Sequence, residues 1–283
     1  MTAIFRAGTL AADRIAATRD SLSGNRIAPR AAILLDARDA GMQAYGKRLS
    51  AFAEDTGITL LFQQWGSTPE ACCRQVSALS EDPTLDAIIP LYPLPVGLSS
   101  ETVAALIGAD RDVDGLHPDN AGRLALGYRG RFPATATAVT AIAEHLAGPL
   151  FGRHVVLVGA SRVVGRPAAQ MLLEREATVT LTHVATRDLA AHTRTAEIIV
   201  TAAGRPKLIG AKDIADGAIL IDVSINRGPE GLVGDVDLAG VSGKAAIVTH
   251  VPDGVGPLTT ACLMANIADA ALQRRDRRKD LSS

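Results

Sequence analysis

The chain has 283 residues, of which 47% are hydrophobic and 21% charged, a balance typical of a globular protein that buries a sizeable core. The formal net charge is −1, and no run of lysine and arginine is long enough to follow a phosphate backbone, so we expect no nucleic-acid partner. The three cysteines have neither disulfide nor metal-ligand spacing, and no stretch of about 20 apolar residues could span a bilayer; we therefore expect a cytoplasmic chain without a metal site or a membrane partner.

The first half of the chain alternates apolar runs with segments of helical period. The runs predict buried strands at 31–36, 58–65 and 86–94, and the segments predict helices at 41–56, 68–80 and 99–107. Prolines in the third run must end its ladder pairing near Pro90. The stretch 110–133 is rich in Gly, Asp, Asn and Pro, and predicts a loop. Such alternation is typical of βαβ units in a largely parallel sheet.

A second alternating series follows a predicted helix at 134–147. The last predicted helix runs from about Pro257 to Arg275. We place a domain boundary near Pro149, between the two series. The predicted strands of the second series are 154–159, 178–183, 197–202, 218–225 and 245–251.

The first strand of this series runs into a glycine-containing turn and then into an amphipathic helix. Gly159 and Gly165 stand where a side chain would block a pyrophosphate from the helix N-terminus. The spacing is not GxGxxG, so this segment alone leaves a turn without any ligand equally open. His183, and no acidic residue, ends the next strand, where an NAD site usually has Asp or Glu.

Many sequence blocks, in order, resemble the bifunctional methylenetetrahydrofolate dehydrogenase/cyclohydrolase family. In the first half these are Tyr45 with the Gly57–Ile58 pair, then LYPLP (91–95), RDVDG (111–115) and NAGRLALG (120–127). In the second half they are VGASRVVGRP (158–167), ATVTLTH (177–183), AEIIVTAAGRP (196–206), GAILIDVSIN (217–226), GDVD (234–237) and VTHVPDGVGPLT (248–259). The resemblance covers nearly the whole chain.

The resemblance implies an α/β fold of two domains and a homodimer. The expected domains are a folate-binding α/β domain at 1–148 and a Rossmann-like dinucleotide-binding domain at 149–257. The C-terminal helix, 258–283, is expected to return to the first domain and complete it.

The resemblance also implies site residues. Asp114 matches the aspartate that binds the pterin, whose adjacent N–H donors suit a carboxylate, and Tyr45 matches the tyrosine that stacks on folate. Alternatively, Asp114 organises a turn before Gly115. Tyr45, Asp114 and Asp253 are the candidate catalytic residues, and Leu49, Leu91, Pro252 and Gly254 join them as substrate-binding candidates. The cofactor-binding candidates are Gly159, Ser161, Arg162, Val164, Gly165, His183, Ala203, Gly204 and Ile225.

Two positions of the family's hydrolytic machinery are changed here. The family has a lysine four residues after the tyrosine and a glutamine before its Leu-Pro-Leu-Pro, and these positions are Leu49 and Leu91. Lys47 leaves the helix on another face, and the guanidinium of Arg48 is a poor acid or base. Cyclohydrolase activity is therefore expected to be lost or very weak. Hydride transfer needs no proton transfer and remains possible.

The cofactor side differs as well. Ala160 stands where the family has the arginine that helps hold the 2′-phosphate of NADP, and Val184 replaces a serine. We therefore expect NAD in preference to NADP, unless Arg162, Arg166 or Arg187 reaches that phosphate.

Three functions remain open from the sequence. The first is an NAD-linked methylenetetrahydrofolate dehydrogenase that binds tetrahydrofolate and lacks cyclohydrolase activity. The second is transfer of a methylene or formyl group from folate to another nucleophile, with Asp253, which replaces a family glycine, as base or amine-binding group. The third is a folate-binding paralogue without catalysis; an exposed loop aspartate would then be the ordinary role of Asp253.

Overall fold

The computed structural model describes residues 1–228 and 231–280, with side chains as far as Arg277. Within these ranges, the strands in chain order are β1 (Ala3–Phe5), β2 (Arg30–Leu35), β3 (Thr59–Gln64), β4 (Ala87–Pro90), β5 (His154–Val158), β6 (Thr178–Thr182), β7 (Ile198–Thr201), β8 (Ile219–Asp222), β9 (Asn226–Gly228), β10 (Gly231–Val233) and β11 (Ile247–Thr249).

The helices alternate with these strands. In chain order they are α1 (Gly8–Asn25), α2 (Ala40–Thr56), α3 (Pro69–Glu81), α4 (Ser100–Ile107), α5 (Pro118–Ala125), α6 (Ala134–Ala147), α7 (Gly165–Leu173), α8 (Leu189–Thr193), α9 (Leu238–Val241) and α10 (Gly256–Asp280), with one 3₁₀ turn at Ala211–Asp213. No helix within the described ranges combines the length and the apolar character needed to cross a bilayer.

The chain forms two compact units. Unit 1 comprises Met1–Ala11 and Thr135–Thr259, and unit 2 comprises Ala12–Ala134 and Thr260–Ser283. These bounds differ from the expected domains 1–148 and 149–257. The first residues lie in unit 1 because β1 pairs in parallel with β11, which is more than 240 positions away. α10 starts in unit 1 and continues in unit 2 from Thr260.

Unit 1 contains a parallel sheet in the order β1-β11-β8-β7-β5-β6. Strands β5, β7 and β8 carry runs of buried Val, Ile and Leu, as expected for strands covered on both faces. A two-stranded antiparallel pair, β9 with β10, follows β8. The predicted α/β class with a Rossmann-like unit is therefore confirmed.

Unit 2 contains a smaller parallel sheet in the order β3-β2-β4. The central strand β2 is buried from its second residue onward, and its apolar side chains join Val76, Leu79 and Val103 of the neighbouring helices in one core. β4 ends at Pro90, as its proline predicts.

One sequence prediction was wrong, because the stretch 110–133 is not loop throughout. α5 begins at Pro118, which is well suited to the first helical position, and the ring nitrogen of His117 accepts a hydrogen bond from the Asp119 N–H. These local stabilising features outweigh the turn-rich composition. β1, α1 and the β9–β10 pair were not predicted from the sequence.

Candidate functional site

Asp114 lies at the carboxyl end of the unit 2 sheet. Ile88 of β4 forms an isolated parallel bridge with Asp112, so the chain after Asp112 runs to the edge where β4 ends. The Asp112 carboxylate is buried and accepts hydrogen bonds from the His117 N–H (2.7 Å) and from Asn120 Nδ2 (2.9 Å). Ligands of parallel α/β sheets bind at such carboxyl edges.

The loop that carries Asp114 is also held by α10. Asn266 Nδ2 donates to the carbonyl oxygens of Val113 (2.8 Å) and Phe132 (2.9 Å). The buried guanidinium of Arg131 donates to the carbonyl oxygen of Ala109 (2.8 Å) and also bonds Gln273 on α10 (2.8 Å). The backbone on both sides of the carboxylate is therefore fixed before any ligand arrives.

The Asp114 carboxylate has the electrostatic character of a binding group. Burial, and secondarily the charge of Asp112, raises its pKa to about 7. No hydrogen bond within the described part of the chain ends on its oxygens. A residue that accepts hydrogen bonds from a ligand is expected to have a carboxylate without a protein donor, as Asp114 does within the described ranges.

Tyr45 lies on α2, whose first turn is capped by the Asp39 side chain, an acceptor for the Met42 N–H at 2.8 Å. Burial, and then the charge of Asp114, raises the pKa of Tyr45 to about 12, although a hydrogen bond with Thr260 acts in the opposite direction. The phenol is therefore neutral at physiological pH. The two residues that the sequence singled out in this unit are electrostatically coupled, as one site requires.

Leu49 and Leu91 are both buried, with exposed fractions of 0% and 4%. Lys47, by contrast, is exposed, which agrees with its predicted place on a different face of α2. Neither leucine position offers a group that could hold or activate water.

Tyr92 is an aromatic residue that the sequence analysis missed. It follows Leu91, and 43% of its surface is exposed. Burial of its hydroxyl, and then the charge of Asp114, raises its pKa above the usual range. An exposed aromatic residue beside the LYPLP block was the available signal.

In unit 1, the segment after β11 forms a tight turn that contains Pro252, Asp253 and Gly254. The Ala7 N–H donates to the carbonyl oxygen of Asp253 (3.0 Å), which ties this turn to the chain after β1. The Asp253 side chain is half exposed, and its Oδ2 lies 3.6 Å from Nδ1 of His250. Asp253 is thus paired with an imidazole that the sequence analysis did not consider.

The turn between β5 and α7 is closely packed. Gly159 has φ +116°, and a side chain there would collide with the carbonyl group of Ala202. A side chain at Gly165 would collide with the carbonyl oxygen of Gly159. The hydroxyl of Ser161 accepts the N–H groups of Val164 (3.1 Å) and Gly165 (3.4 Å). Both glycines are therefore required by the fold of the turn itself.

A cavity of about 700 Å³ opens beside this turn. Of the predicted cofactor residues, Gly159, His183 and Ala203 line it, whereas Ser161, Arg162, Val164, Gly165, Gly204 and Ile225 do not. The remaining lining residues are Val158, Ala160, Arg166, Thr182, Val184, Thr186, Leu189, Ala202, Arg205 and Leu208. The cavity is bounded by the carboxyl ends of β5, β6 and β7, where a Rossmann-like fold binds its nucleotide.

The loop after β7 is organised by Asp235, which the sequence analysis did not single out. Its fully buried carboxylate accepts three consecutive backbone N–H groups, those of Ala203 (2.7 Å), Gly204 (3.1 Å) and Arg205 (2.7 Å). Ser224 Oγ (2.7 Å) and Asn226 Nδ2 (3.1 Å) complete the shell. One carboxylate thereby fixes the backbone at Ala203 and Arg205, two of the residues that line the cavity.

Comparison with known proteins is consistent with this arrangement. The model of the tetrahydrofolate dehydrogenase/cyclohydrolase family, NAD(P)-binding domain, matches residues 133–275. A protein of Saccharopolyspora erythraea called bifunctional protein FolD 1 is 44% identical over 248 residues, which are 87% of this chain and 85% of that protein.

Solved structures are similar over nearly the whole chain. The bifunctional FolD enzyme, a methylenetetrahydrofolate dehydrogenase/cyclohydrolase from Campylobacter jejuni, has a TM-score of 0.91 at 33% identity and covers 97% of this chain and 100% of its own. The Trypanosoma brucei enzyme complexed with NADP cofactor and inhibitor has a TM-score of 0.87 at 28% identity, with 98% and 99% of the two chains covered.

Proposed function

This chain belongs to the tetrahydrofolate dehydrogenase/cyclohydrolase family, and on that premise we propose that it is a 5,10-methylenetetrahydrofolate dehydrogenase without effective cyclohydrolase activity. The observation that carries the proposal is the Asp114 carboxylate, which has a raised pKa, no hydrogen bond from the residues that the structure describes, and Tyr45 as its electrostatic neighbour. Unit 2 would bind the folate through these two residues. Unit 1 would bind the nicotinamide nucleotide in the cavity beside Gly159.

The chemistry makes modest demands on this chain. Bound nicotinamide supplies an acceptor for the hydride that leaves the methylene carbon, and the product cation is delocalised over N5 and N10 of the folate. No side chain has to move a proton, so orientation and exclusion of water suffice. Leu49 and Leu91 are compatible with this role because a dry apolar wall does not oppose hydride transfer.

Separate titrations of the purified chain with tetrahydrofolate, NAD and NADP test the proposal. Binding of folate together with a nicotinamide nucleotide supports the dehydrogenase. Folate binding without either nucleotide favours group transfer, and absence of folate binding contradicts every folate-based function. Isothermal titration calorimetry gives each dissociation constant without relying on activity.

The His250–Asp253 pair favours the second function, one-carbon transfer to another nucleophile. The Asp253 carboxylate lies 3.6 Å from Nδ1 of His250 without a hydrogen bond between them, which leaves the carboxylate able to accept a proton from a nucleophile. In that function Asp253 is the base or the amine-binding group.

We expect cyclohydrolase activity to be absent or very low. Leu49 and Leu91 provide no donor, acceptor or base for water, and both are buried. The measurement is the decay of added methenyl-tetrahydrofolate with enzyme, compared with the buffer blank. Enzyme-dependent hydrolysis at a rate ordinary for enzymes, about 1–1,000 per second, refutes the expectation.

We expect NAD to bind more tightly than NADP. Ala160 and Val184 line the cavity but offer no charge or hydrogen bond from their side chains to a 2′-phosphate. The expectation therefore holds only if neither Arg166 nor Arg205, which also line the cavity, pairs with that dianion, since an unpaired dianion is costly to bury. The variant Ala160→Arg should improve NADP binding by roughly tenfold and leave NAD binding nearly unchanged. Tighter binding of NADP than of NAD by the unmodified chain contradicts the expectation.

We also propose that the chain forms a homodimer, the assembly that its family resemblance implies. Multi-angle light scattering of the purified chain measures the mass directly, and a monomer's mass at micromolar concentration opposes this assignment.

A further inference from the structure

The cavity beside Gly159 is cationic. Arg166 and Arg205 line it, and no aspartate or glutamate does so among the residues that the structure describes. Both arginine side chains are exposed. Uncompensated guanidinium groups in a concave site attract an anionic ligand, and the anionic part common to NAD and NADP is the diphosphate.

The helix N-terminus beside the cavity has no free donors for that diphosphate. The N–H groups of Val164 and Gly165 donate to Ser161 Oγ, and the Arg166 N–H donates to the Ser161 carbonyl oxygen at 3.0 Å. Pro167 has no N–H. The binding mode in which helix N–H groups receive a phosphate therefore has no donors left in the first turn of α7.

The backbone N–H groups of the loop after β7, which also lines the cavity, are likewise already bonded within the protein. Its three successive N–H groups, at Ala203, Gly204 and Arg205, all donate to the buried carboxylate of Asp235. Backbone donors of this loop are thus directed into the protein. What the loop presents to the cavity is the side chain of Arg205.

The guanidinium groups of Arg166 and Arg205 can donate to a diphosphate in place of these backbone N–H groups. Arg166 Nε donates to the carbonyl oxygen of Ala160 (3.0 Å), which anchors the side chain at one nitrogen and leaves both terminal nitrogens available. The Arg205 side chain makes no hydrogen bond to any residue within the described ranges. A planar guanidinium can bind phosphate oxygens through two parallel hydrogen bonds.

We propose that Arg166 and Arg205, which both line the unit 1 cavity, form a clamp that holds the diphosphate of the nicotinamide cofactor. This inference rests on the proposed function, because it assigns residues to the nucleotide that the dehydrogenase would use. Asp235 acts through the backbone of the loop and is a positioning residue for Arg205.

The test compares Arg166→Gln and Arg205→Gln with the matched control Arg194→Gln, an exposed arginine of the same unit that does not line the cavity. The probes are NAD, NADP, ADP and, as the probe without phosphate, adenosine. Each clamp variant should weaken binding of the three phosphate-bearing probes by about tenfold to a hundredfold and leave adenosine unaffected. The control should bind all four like the unmodified chain, and all variants should keep its melting temperature.

The outcomes separate this proposal from the function on which it rests. An equal loss for NAD and NADP supports a diphosphate contact, whereas a loss for NADP alone assigns the arginine to the 2′-phosphate and overturns the clamp. Undiminished ADP binding by either variant also overturns it. If the unmodified chain binds none of the nucleotides, the proposed dehydrogenase function is contradicted together with the clamp.

Discussion

Replacement of Asp114 by alanine should weaken tetrahydrofolate binding by about 2–4 kcal/mol, or roughly 30-fold to 700-fold in dissociation constant. The pterin edge offers adjacent N–H donors, and the Asp114 carboxylate receives no hydrogen bond from the described part of the chain. Removing it leaves the ligand donors without an acceptor. Asp114→Asn should also bind weakly, because the amide presents a donor where an acceptor is required.

Calorimetric titration of both variants with tetrahydrofolate measures the effect, and Asp119→Asn serves as the control. Asp119 lies five residues away, its side chain is mostly exposed, and the substitution makes the same change in charge. Normal folding of both Asp114 variants together with binding equal to that of the unmodified chain would make Asp114 a turn former only. The family resemblance would then describe ancestry alone.

The raised pKa of Asp114 predicts a pH dependence of the same binding step. In the folded chain without ligand, the pKa of Asp114 is about 7, and the ionised form of its carboxyl group is the better acceptor. The affinity for tetrahydrofolate should therefore rise with pH through about 7 and level off above it. The contribution of Asp114 to folding stability changes in the opposite direction, because it falls as pH rises. A carboxyl group whose folded pKa is raised favours the folded state fully below its unfolded pKa, and this contribution is lost as pH rises through about 7. Asp114→Asn should abolish both trends.

Replacement of Asp235 by alanine should lower the free energy of unfolding by about 3–5 kcal/mol, a large part of the total stability of an ordinary domain. Five donors converge on this fully buried carboxylate, and three of them are successive backbone N–H groups that cannot turn towards water without unfolding the loop. Asp235→Asn keeps one acceptor oxygen and should cause a smaller loss, because its amino group faces donors.

Urea denaturation followed by circular dichroism measures these losses, with Asp216→Ala as the matched control. Asp216 lies in the same unit, its side chain is 93% exposed, and its ion pair with Lys244 is long at 3.8 Å. Its removal should change stability by less than about 0.5 kcal/mol. Equal stability of Asp235→Ala and the control would mean that water or a rearranged loop replaces the carboxylate at little cost.

Local patterns in the sequence were sufficient for most of the secondary structure. Apolar runs of strand length alternate with segments of helical period, and β2, β3, β5, β6 and β7 lie where these runs predict them. α5 was missed because turn-forming residues dominate its composition, although a proline at its first position and a histidine cap are sufficient to start a helix. β1 has only three residues and owes its strand pairing to β11, so no local signal marks it.

The candidate site, like the secondary structure, could be predicted from the sequence only in part. The resemblance of RDVDG and Tyr45 to the family indicated the folate-binding residues. The sequence also shows directly that Leu49 and Leu91 stand where the family has a lysine and a glutamine. The burial and the pKa values of the site residues could not be predicted from the sequence. The pKa of Asp114 depends on its burial and on Asp112, and burial is a consequence of packing between segments distant in sequence.

Contacts formed in the folded chain, some local and some between distant segments, decided which donors remain for a cofactor. From the sequence, the glycine turn before α7 was equally compatible with a phosphate bound at a helix N-terminus and with a turn that binds no ligand. In the folded chain, Ser161 accepts the N–H groups at the start of α7, Asp235 accepts those of Ala203, Gly204 and Arg205, and the side chains of Arg166 and Arg205 line the cavity. Asp235 lies 30 residues from the loop that it holds, and its hydrogen bonds form only when β7 and β8 are paired. A pattern of neighbouring residues specifies which element forms and, through Ser161, where the donors at the start of α7 go, whereas the direction of the donors after β7 is set by contacts that only the complete fold brings together.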